Sequence, residues 1–320
     1  MDRIVFLDRA TMGGDLELAE PPFEHEFVTH SHTSPEQVVE RLRGAAYAIT
    51  NKVPITRETL DASPDLRMVA VAATGYDQVD VSACVERGIA VTHVRGYALN
   101  SVPEHTLALM LALARGLIAY REQVRDGAWE RAGQFCFFDA PIRELAGSTL
   151  AVVGGGDLGH AVARRAQALG MECLFAERKG ASRLRPGYTP FEEALARADV
   201  LSLHCPLTPE TRGLIGADEF ARMARCPIVI NCARGGVVDE NALCEALESG
   251  RIAGAGIDCV DGEPPPPDSP IHRIQHRPDV IVTPHVAWGS REARQALWRQ
   301  VIGAIEAFHR GHEIDDLARR

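Results

Sequence analysis

The 320-residue sequence carries 34 Lys+Arg against 44 Asp+Glu, a formal net charge of -10, with 46% hydrophobic and 24% charged residues. This is the composition of a folded chain, and its charge argues against nucleic acid or an anionic membrane surface as a partner, both of which need a cationic footprint. No apolar run reaches the roughly 18–20 residues of a bilayer span. The best, Leu107–Ala119, is cut by Arg115, and Met1-Asp2-Arg3-Ile4 does not open a secretory signal. A soluble cytoplasmic protein is expected. The 8 cysteines form no CxxC or CxxxC pair, so they read as reduced core thiols rather than a disulfide frame or a zinc site.

Short β-type runs alternate with helical patterns, the signature of parallel sheets covered by helices. Arg3–Leu7, Glu26–Thr29, Ala46–Thr50, Met68–Ala72 and Ile89–Thr92 predict the strands of a first unit, with helices at Pro35–Arg43 and Val79–Arg87. Ser101-Val102-Pro103-Glu104 then predicts a helix start with a capping box, the Ser101 hydroxyl accepting from first-turn amides and Glu104 reaching back. The helix it opens, about Val102 to Arg121, is apolar on most faces and is expected to be buried, a candidate dimer arm. A second series of strands follows at Leu150–Val153, Glu172–Ala176, Val200–Leu203, Ile228–Asn231, Gly254–Ile257 and Val280–Val282. Pro264–Pro267 reads as a stiff loop, and a final helix, Ser290 to Arg310, is long enough to return to the first unit. Two α/β units of unequal size are expected.

The second series opens on a phosphate-binding pattern. Strand Thr149–Val153 runs into Gly154-Gly155-Gly156-Asp157-Leu158-Gly159, which fits G-x-G-x-x-G, and a helical pattern from His160 to Leu169 follows. Glycines there let the backbone approach a pyrophosphate, and the amides of the helix start face its charge. The next strand leads to Glu177, placed to accept from an adenosine ribose. Asp157 puts a carboxylate near the pyrophosphate and is expected to point outward and cap the helix. Arg178 and Lys179 follow Glu177 at once. A glutamate favours NAD and an adjacent arginine accommodates the 2′-phosphate of NADP. Glu177 is expected to swing to solvent readily, so NAD(H) is taken as usable and NADP(H) as also accepted or even preferred. A solvated Arg178-Lys179 pair is the plain alternative.

Three later segments each end a β-type run with a polar side chain: Asn231 to Gly236, Asp258 to Pro264, and Thr283-Pro284-His285. In an open α/β sheet, ligands bind beyond the carboxyl ends of the strands. Arg234, Glu263 and His285 delivered there supply a planar cation for a carboxylate, an anion, and a proton carrier for it to orient.

These residues resemble the D-2-hydroxyacid dehydrogenase family. The resemblance runs through Ala73 to Asp80, Val102 to Thr106, the glycine turn, His204-Cys205-Pro206-Leu207-Thr208, Asn231 to Asp239, Gly256-Ile257-Asp258, Gly262-Glu263-Pro264 and Thr283-Pro284-His285. Within the family, Thr50-Asn51-Lys52, Ala176 to Gly180 and His285 to Arg294 are similar to the glycerate dehydrogenase or hydroxypyruvate (glyoxylate) reductase branch. The resemblance implies two Rossmann-like domains: a discontinuous substrate domain from residues 1–99 and 291–320, and an NAD(P)-binding domain from 100–290. It implies an active-site cleft between them, and a homodimer through the helix from Val102 to Arg121. Pro103 and Gly155 depart from residues more common in the family.

The implied chemistry is hydride transfer between a nicotinamide and a small 2-keto acid. His285 would be the acid, with Glu263 holding its tautomer and favouring imidazolium, and Arg234 would bind the substrate carboxylate and keto oxygen. By resemblance, Thr74, Gly75 and Lys52 contact substrate. Thr106, His204, Pro206, Cys232, Ala233, Asp258 and His285 line the cofactor, with Asp258 orienting the nicotinamide amide. His105 and His204 are read as structural or cofactor-lining. No metal is required by this scheme. A phosphoglycerate dehydrogenase and a non-catalytic NAD-sensing protein of the same fold are the alternatives.

Overall fold

The structure is a computed structural model that describes residues 1–319. Its chain forms two compact units, Met1–Ala98 with the segment from Gly289 onward, and Leu99–Trp288.

In the first unit β1 (Asp2–Phe6), β2 (His25–Thr29), β3 (Tyr47–Thr50), β4 (Met68–Val71) and β5 (Ala90–His93) form a parallel sheet in the order β2-β1-β3-β4-β5. Strands β3 and β4 are buried at every residue, which is why they read as apolar runs without alternation. The strand order reverses beside β1, so the loops after β1 and β3 leave the same sheet edge together. Buried Asp8, just past β1, accepts there from the amides of Asn51 (2.9 Å) and Lys52 (2.7 Å). The helix Arg291–His309 packs in this unit. Ser290 caps it by accepting from the Ala293 amide at 3.1 Å. Its Trp298 stacks on Phe6 with ring centroids 5.3 Å apart and donates from Nε1 to the Ala19 carbonyl at 2.7 Å. Beyond the helix, buried Asp316 accepts from the Val91 amide at 2.9 Å. These contacts hold the C-terminal segment in the N-terminal unit.

The second unit holds β6 (Thr149–Val153), β7 (Glu172–Ala176), β8 (Tyr188–Thr189), β9 (Val200–Leu203), β10 (Ile228–Asn231), β11 (Gly254–Ile257) and β12 (Val280–Val282). They form a parallel sheet in the order β12-β11-β10-β9-β6-β7-β8. The short strand β8 has no sequence expectation behind it, because two residues display no periodicity. The order reverses between β6 and β9, which opens a crevice at their carboxyl ends.

Two local expectations are corrected. Asn100, not Ser101, holds the N-cap position of the helix Ser101–Ala114, and no side chain caps it. Ser101 is already helical and its hydroxyl donates instead to the Ala287 carbonyl at 2.6 Å, so no capping box forms. The apolar helix also stops early. Gly116 takes φ 60, a left-handed conformation that glycine adopts at no steric cost, and a separate helix, Leu117–Arg125, leaves at a 59° bend. The first segment packs on the helix Asp157–Ala168 and on β10 and β11. Among the described residues, no single helix is long and apolar enough to cross a membrane. All eight cysteines are free. Four are buried, among them Cys84 and Cys232, whose thiols burial pushes up to about 12.

Candidate active site

The glycine turn leaves β6 at the crevice. Gly154 takes φ 105, and a Cβ there would lie 2.5 Å from the carbonyl carbon and oxygen of His204, so only glycine lets the turn pass the end of β9. A Cβ at Gly159 would lie 2.0 Å from the Gly154 carbonyl oxygen, which explains the close packing of helix on strand. Around Gly156 a Cβ would meet nothing within 4 Å: the cradle is open there. The helix Asp157–Ala168 starts at this point with its first amides unpaired by any capping side chain. Asp157 does not cap it. Gly156 occupies the N-cap position, and Asp157 lies exposed in the first turn, where the helix dipole favours a carboxylate. Leu158 follows it, partly buried.

Opposite the turn, the His204 ring exchanges a hydrogen bond with Ser202 Oγ at 2.8 Å through Nε2. Its Nδ1 is buried without a partner, and burial pushes the ring down to about 4. A neutral imidazole with one orphaned nitrogen beside a glycine cradle fits a dinucleotide. Thr106 is fully buried and its hydroxyl donates back to the Val102 carbonyl at 2.9 Å. Pro206 is exposed, its carbonyl accepting from Thr211 Oγ1 at 2.6 Å, and Cys232 and Ala233 are buried at the end of β10.

Glu177 corrects a further expectation. It cannot swing freely to solvent: the residue is 4% exposed and its carboxylate is held by Arg185 and by the Arg178 amide. Hydrogen bonds from the Arg185 side chain, and then the Arg178 amide, hold its carboxyl down at about 2. Of the cation pair that follows, Lys179 is committed to Glu219 at 2.8 Å, while Arg178 is exposed.

Arg234, Glu263 and His285 lie beyond the carboxyl ends of the neighbouring strands β10, β11 and β12. His285 Nδ1 meets Glu263 Oε2 at 2.6 Å, which leaves Nε2 as the ring nitrogen not engaged by the carboxylate. The other Glu263 oxygen accepts from the Val260 amide at 3.2 Å. Arg234 Nη1 donates to the Ala233 carbonyl at 2.8 Å, and the Cys259 thiol turns to the same carbonyl at 3.6 Å. Cys259 Sγ in turn lies within 4.8 Å of a carboxylate oxygen of Glu263 and a ring nitrogen of His285. Asn231 fixes the arginine loop, donating to the Arg234 carbonyl at 3.0 Å and accepting from the Ala233 amide at 3.1 Å.

Buried Asp258 has a role that sequence reasoning missed. Its carboxylate accepts from Thr283 Oγ1 (2.6 Å) and from the amides of Val286 (2.9 Å) and Ala287 (3.0 Å). It thereby clamps the turn that presents His285, whose backbone sits at φ 52, a region costly for a residue with a Cβ. His105 supports the clamp through Thr283 Oγ1 at 3.1 Å, a structural role. The Thr-Pro-His motif signals the loop, but nothing in the sequence shows that Asp258 folds onto it.

In the first unit, Lys52 is exposed with its amide on Asp8, and Thr74 Oγ1 donates to the Val94 carbonyl at 2.9 Å. Gly75 is next in the loop after β4. Lys52 and the Thr74-Gly75 pair therefore follow adjacent strands at one sheet edge.

Residues 107–287 match the family described as D-isomer specific 2-hydroxyacid dehydrogenase, NAD binding domain. A glycerate dehydrogenase from Methylorubrum extorquens is 47% identical over 97% of this chain and 96% of its own length. Among solved structures, a Thermus thermophilus protein aligns with TM-score 0.84 and 33% identity over 98% of this chain and 99% of its own. An NADPH-dependent glyoxylate/hydroxypyruvate reductase from Sinorhizobium meliloti, solved with NADP and malonate, aligns with TM-score 0.80 and 29% identity over 98% and 96%. The chain is therefore an NAD(P)-dependent oxidoreductase that belongs to the D-2-hydroxyacid dehydrogenase family, in its glycerate dehydrogenase and hydroxypyruvate reductase branch.

Proposed function

We propose that this enzyme interconverts small 2-keto acids of the glyoxylate and hydroxypyruvate type with their D-2-hydroxy acids. The observation that carries the reading is the 2.6 Å pairing of His285 Nδ1 with Glu263, at the same strand ends as Arg234. A nicotinamide, when bound by the glycine cradle, supplies the hydride. His285 holds the proton at Nε2 and hands it to the keto oxygen, or takes it back from the hydroxyl. Glu263 accepts from Nδ1 at 2.6 Å and so fixes the tautomer and orientation of the ring. Arg234 presents a planar set of donors to the substrate carboxylate, and its charge meets the developing oxyanion. On the family resemblance, Thr74, Gly75 and Lys52 are also proposed as substrate-binding residues.

The test is NADH and NADPH oxidation at 340 nm with glyoxylate, hydroxypyruvate, phosphohydroxypyruvate and pyruvate in parallel. Turnover is expected on the first two at the highest kcat/KM. Preference for the phosphorylated acid would move the assignment to a phosphoglycerate dehydrogenase, and silence across the panel to a cofactor-sensing protein. Glu263→Gln is expected to retain reduced activity with nucleotide affinity little changed, because the ring loses the carboxylate that holds Nδ1 at 2.6 Å. A kcat equal to the parent's on every acid would remove Glu263 from this role.

The homodimer is also part of the proposal, carried by a surface that overlaps the end of the expected helix and extends beyond it. The helix Ser101–Ala114 is largely consumed in packing its own unit. The segment after it exposes Leu117, Val124, Trp129, Phe135, Phe138 and Ile142, with Phe135 at 88% and Phe138 at 77%. So many large apolar side chains on one arm mark an interaction surface, and a second copy of the chain is its proposed occupant. Phe135→Ser with Phe138→Ser is expected to shift the protein from dimer to monomer in light scattering after size exclusion. An unchanged mass would assign the arm elsewhere.

A further inference from the structure

Between residues 177 and 185 the chain carries four cations, Arg178, Lys179, Arg183 and Arg185, against the single carboxylate of Glu177. Arg185 folds back onto that carboxylate. Its Nε lies 2.9 and 2.8 Å from the two oxygens, Nη2 lies 2.7 Å from Oε1, and its own amide donates to Oε2 at 2.9 Å. The Arg178 amide adds a fifth contact at 2.8 Å. The guanidinium is held on its other side by the Tyr188 ring, with Cζ 3.7 Å from the centroid. Tyr188 sits in the edge strand β8 and reaches the phosphate turn: a Cβ at Gly155 would lie 2.0 Å from its hydroxyl oxygen. Glycine at 155 leaves room for that hydroxyl. Glu177, Arg185, Tyr188 and Gly155 thus form one continuous wall beside the cradle.

A free carboxylate at this strand end accepts from the ribose hydroxyls of NAD and repels the 2′-phosphate of NADP. Both properties are altered here. The lone pairs of Glu177 are already used, and its charge is neutralised at contact distance by a guanidinium whose side chain keeps 45% exposure. Arg178 and Arg183 are exposed as well, so the field around this end of the site is positive. We propose that Arg185 sets the choice of dinucleotide: by neutralising Glu177 it turns the adenosine end of the site toward NADP(H) in preference to NAD(H). The inference rests on the dinucleotide reading above and deepens it. It shifts the deciding role from Arg178, adjacent in sequence, to a residue that only the fold of the loop brings to Glu177.

The experiment is equilibrium titration of NADPH and NADH by nucleotide fluorescence at fixed ionic strength, in the parent, Arg185→Ala, and Arg185→Ala with Glu177→Gln. The parent is expected to bind NADPH more tightly by on the order of tenfold, the scale of a modest charge complementarity. Arg185→Ala should weaken NADPH at least about tenfold while NADH changes less than about threefold, because an uncompensated carboxylate then faces the phosphate. Adding Glu177→Gln should restore most of the NADPH affinity, since the repelling charge is gone. Equal weakening for both nucleotides would overturn the proposal, as would a double variant that binds NADPH as poorly as the single one. The titration needs no turnover, so failure of the 2-keto acid assignment appears only in the 340 nm panel and leaves this comparison readable.

Discussion

Replacing His285 with alanine is expected to lower kcat for 2-keto acid reduction by about a thousandfold, within the 10²–10⁴ range of a positioned general acid. NADPH affinity should stay within about threefold, because the groups proposed to hold the phosphates leave β6, β7 and β9 rather than β12. The turn at 283–287 carries its own fixings, with Asp258 holding the amides of Val286 and Ala287, so the variant should fold with the loop in place. The check is single-turnover kinetics beside a fluorescence titration of the nucleotide. A kcat within tenfold of the parent would show that the proton comes from elsewhere and that the Glu263–His285 pair serves the loop alone.

Arg234→Lys is expected to cut kcat/KM by about 5- to 150-fold, the equivalent of about 1–3 kcal/mol for a charged hydrogen bond. Charge is conserved in this variant and geometry is not. Arg234 commits Nη1 to the Ala233 carbonyl at 2.8 Å, which leaves a planar group with further donors for a carboxylate. A lysine ammonium that makes the same backbone bond has no second, parallel donor at a fixed distance, and it prefers water. The loss should fall on every acid in the panel, since all share the carboxylate. Parent-like kcat/KM throughout would reduce Arg234 to a loop-fixing residue.

The strands were legible because parallel sheets buried on both faces are written as short apolar runs. Val200–Leu203, Ile228–Asn231 and Gly254–Ile257 carry the same bounds in sequence and structure. The candidate catalytic residues were legible for a related reason: each directly follows such a run, and the ends of parallel strands collect at one edge. What misled was local chemistry with two solutions. Ser101 followed by Glu104 satisfies the pattern of a capping box, yet the hydroxyl found a better acceptor in the Ala287 carbonyl, far along the chain. The apolar periodicity past Ala114 is real but cannot reveal a left-handed Gly116, which breaks the helix without interrupting the pattern.

Composition, the glycine turn and the order of strand-end motifs by themselves determined the fold class and the dinucleotide chemistry and put Arg234, Glu263 and His285 forward as candidates, because each of these signals lies in residues close together in the chain. Only tertiary structure decided how the set is held and what surrounds it. The clamp of Asp258 on the His285 turn, the seating of Asn231 under Arg234, and the closure of Arg185 and Tyr188 over Glu177 and Gly155 all join segments by hydrogen bonds or stacking across loops. Loops carry no period, and a charged side chain chooses its partner by distance in space. Whether Glu177 stands as a free anion or as half of an ion pair is therefore settled by the path of the chain from β7 to β8, not by the arginine that happens to follow it.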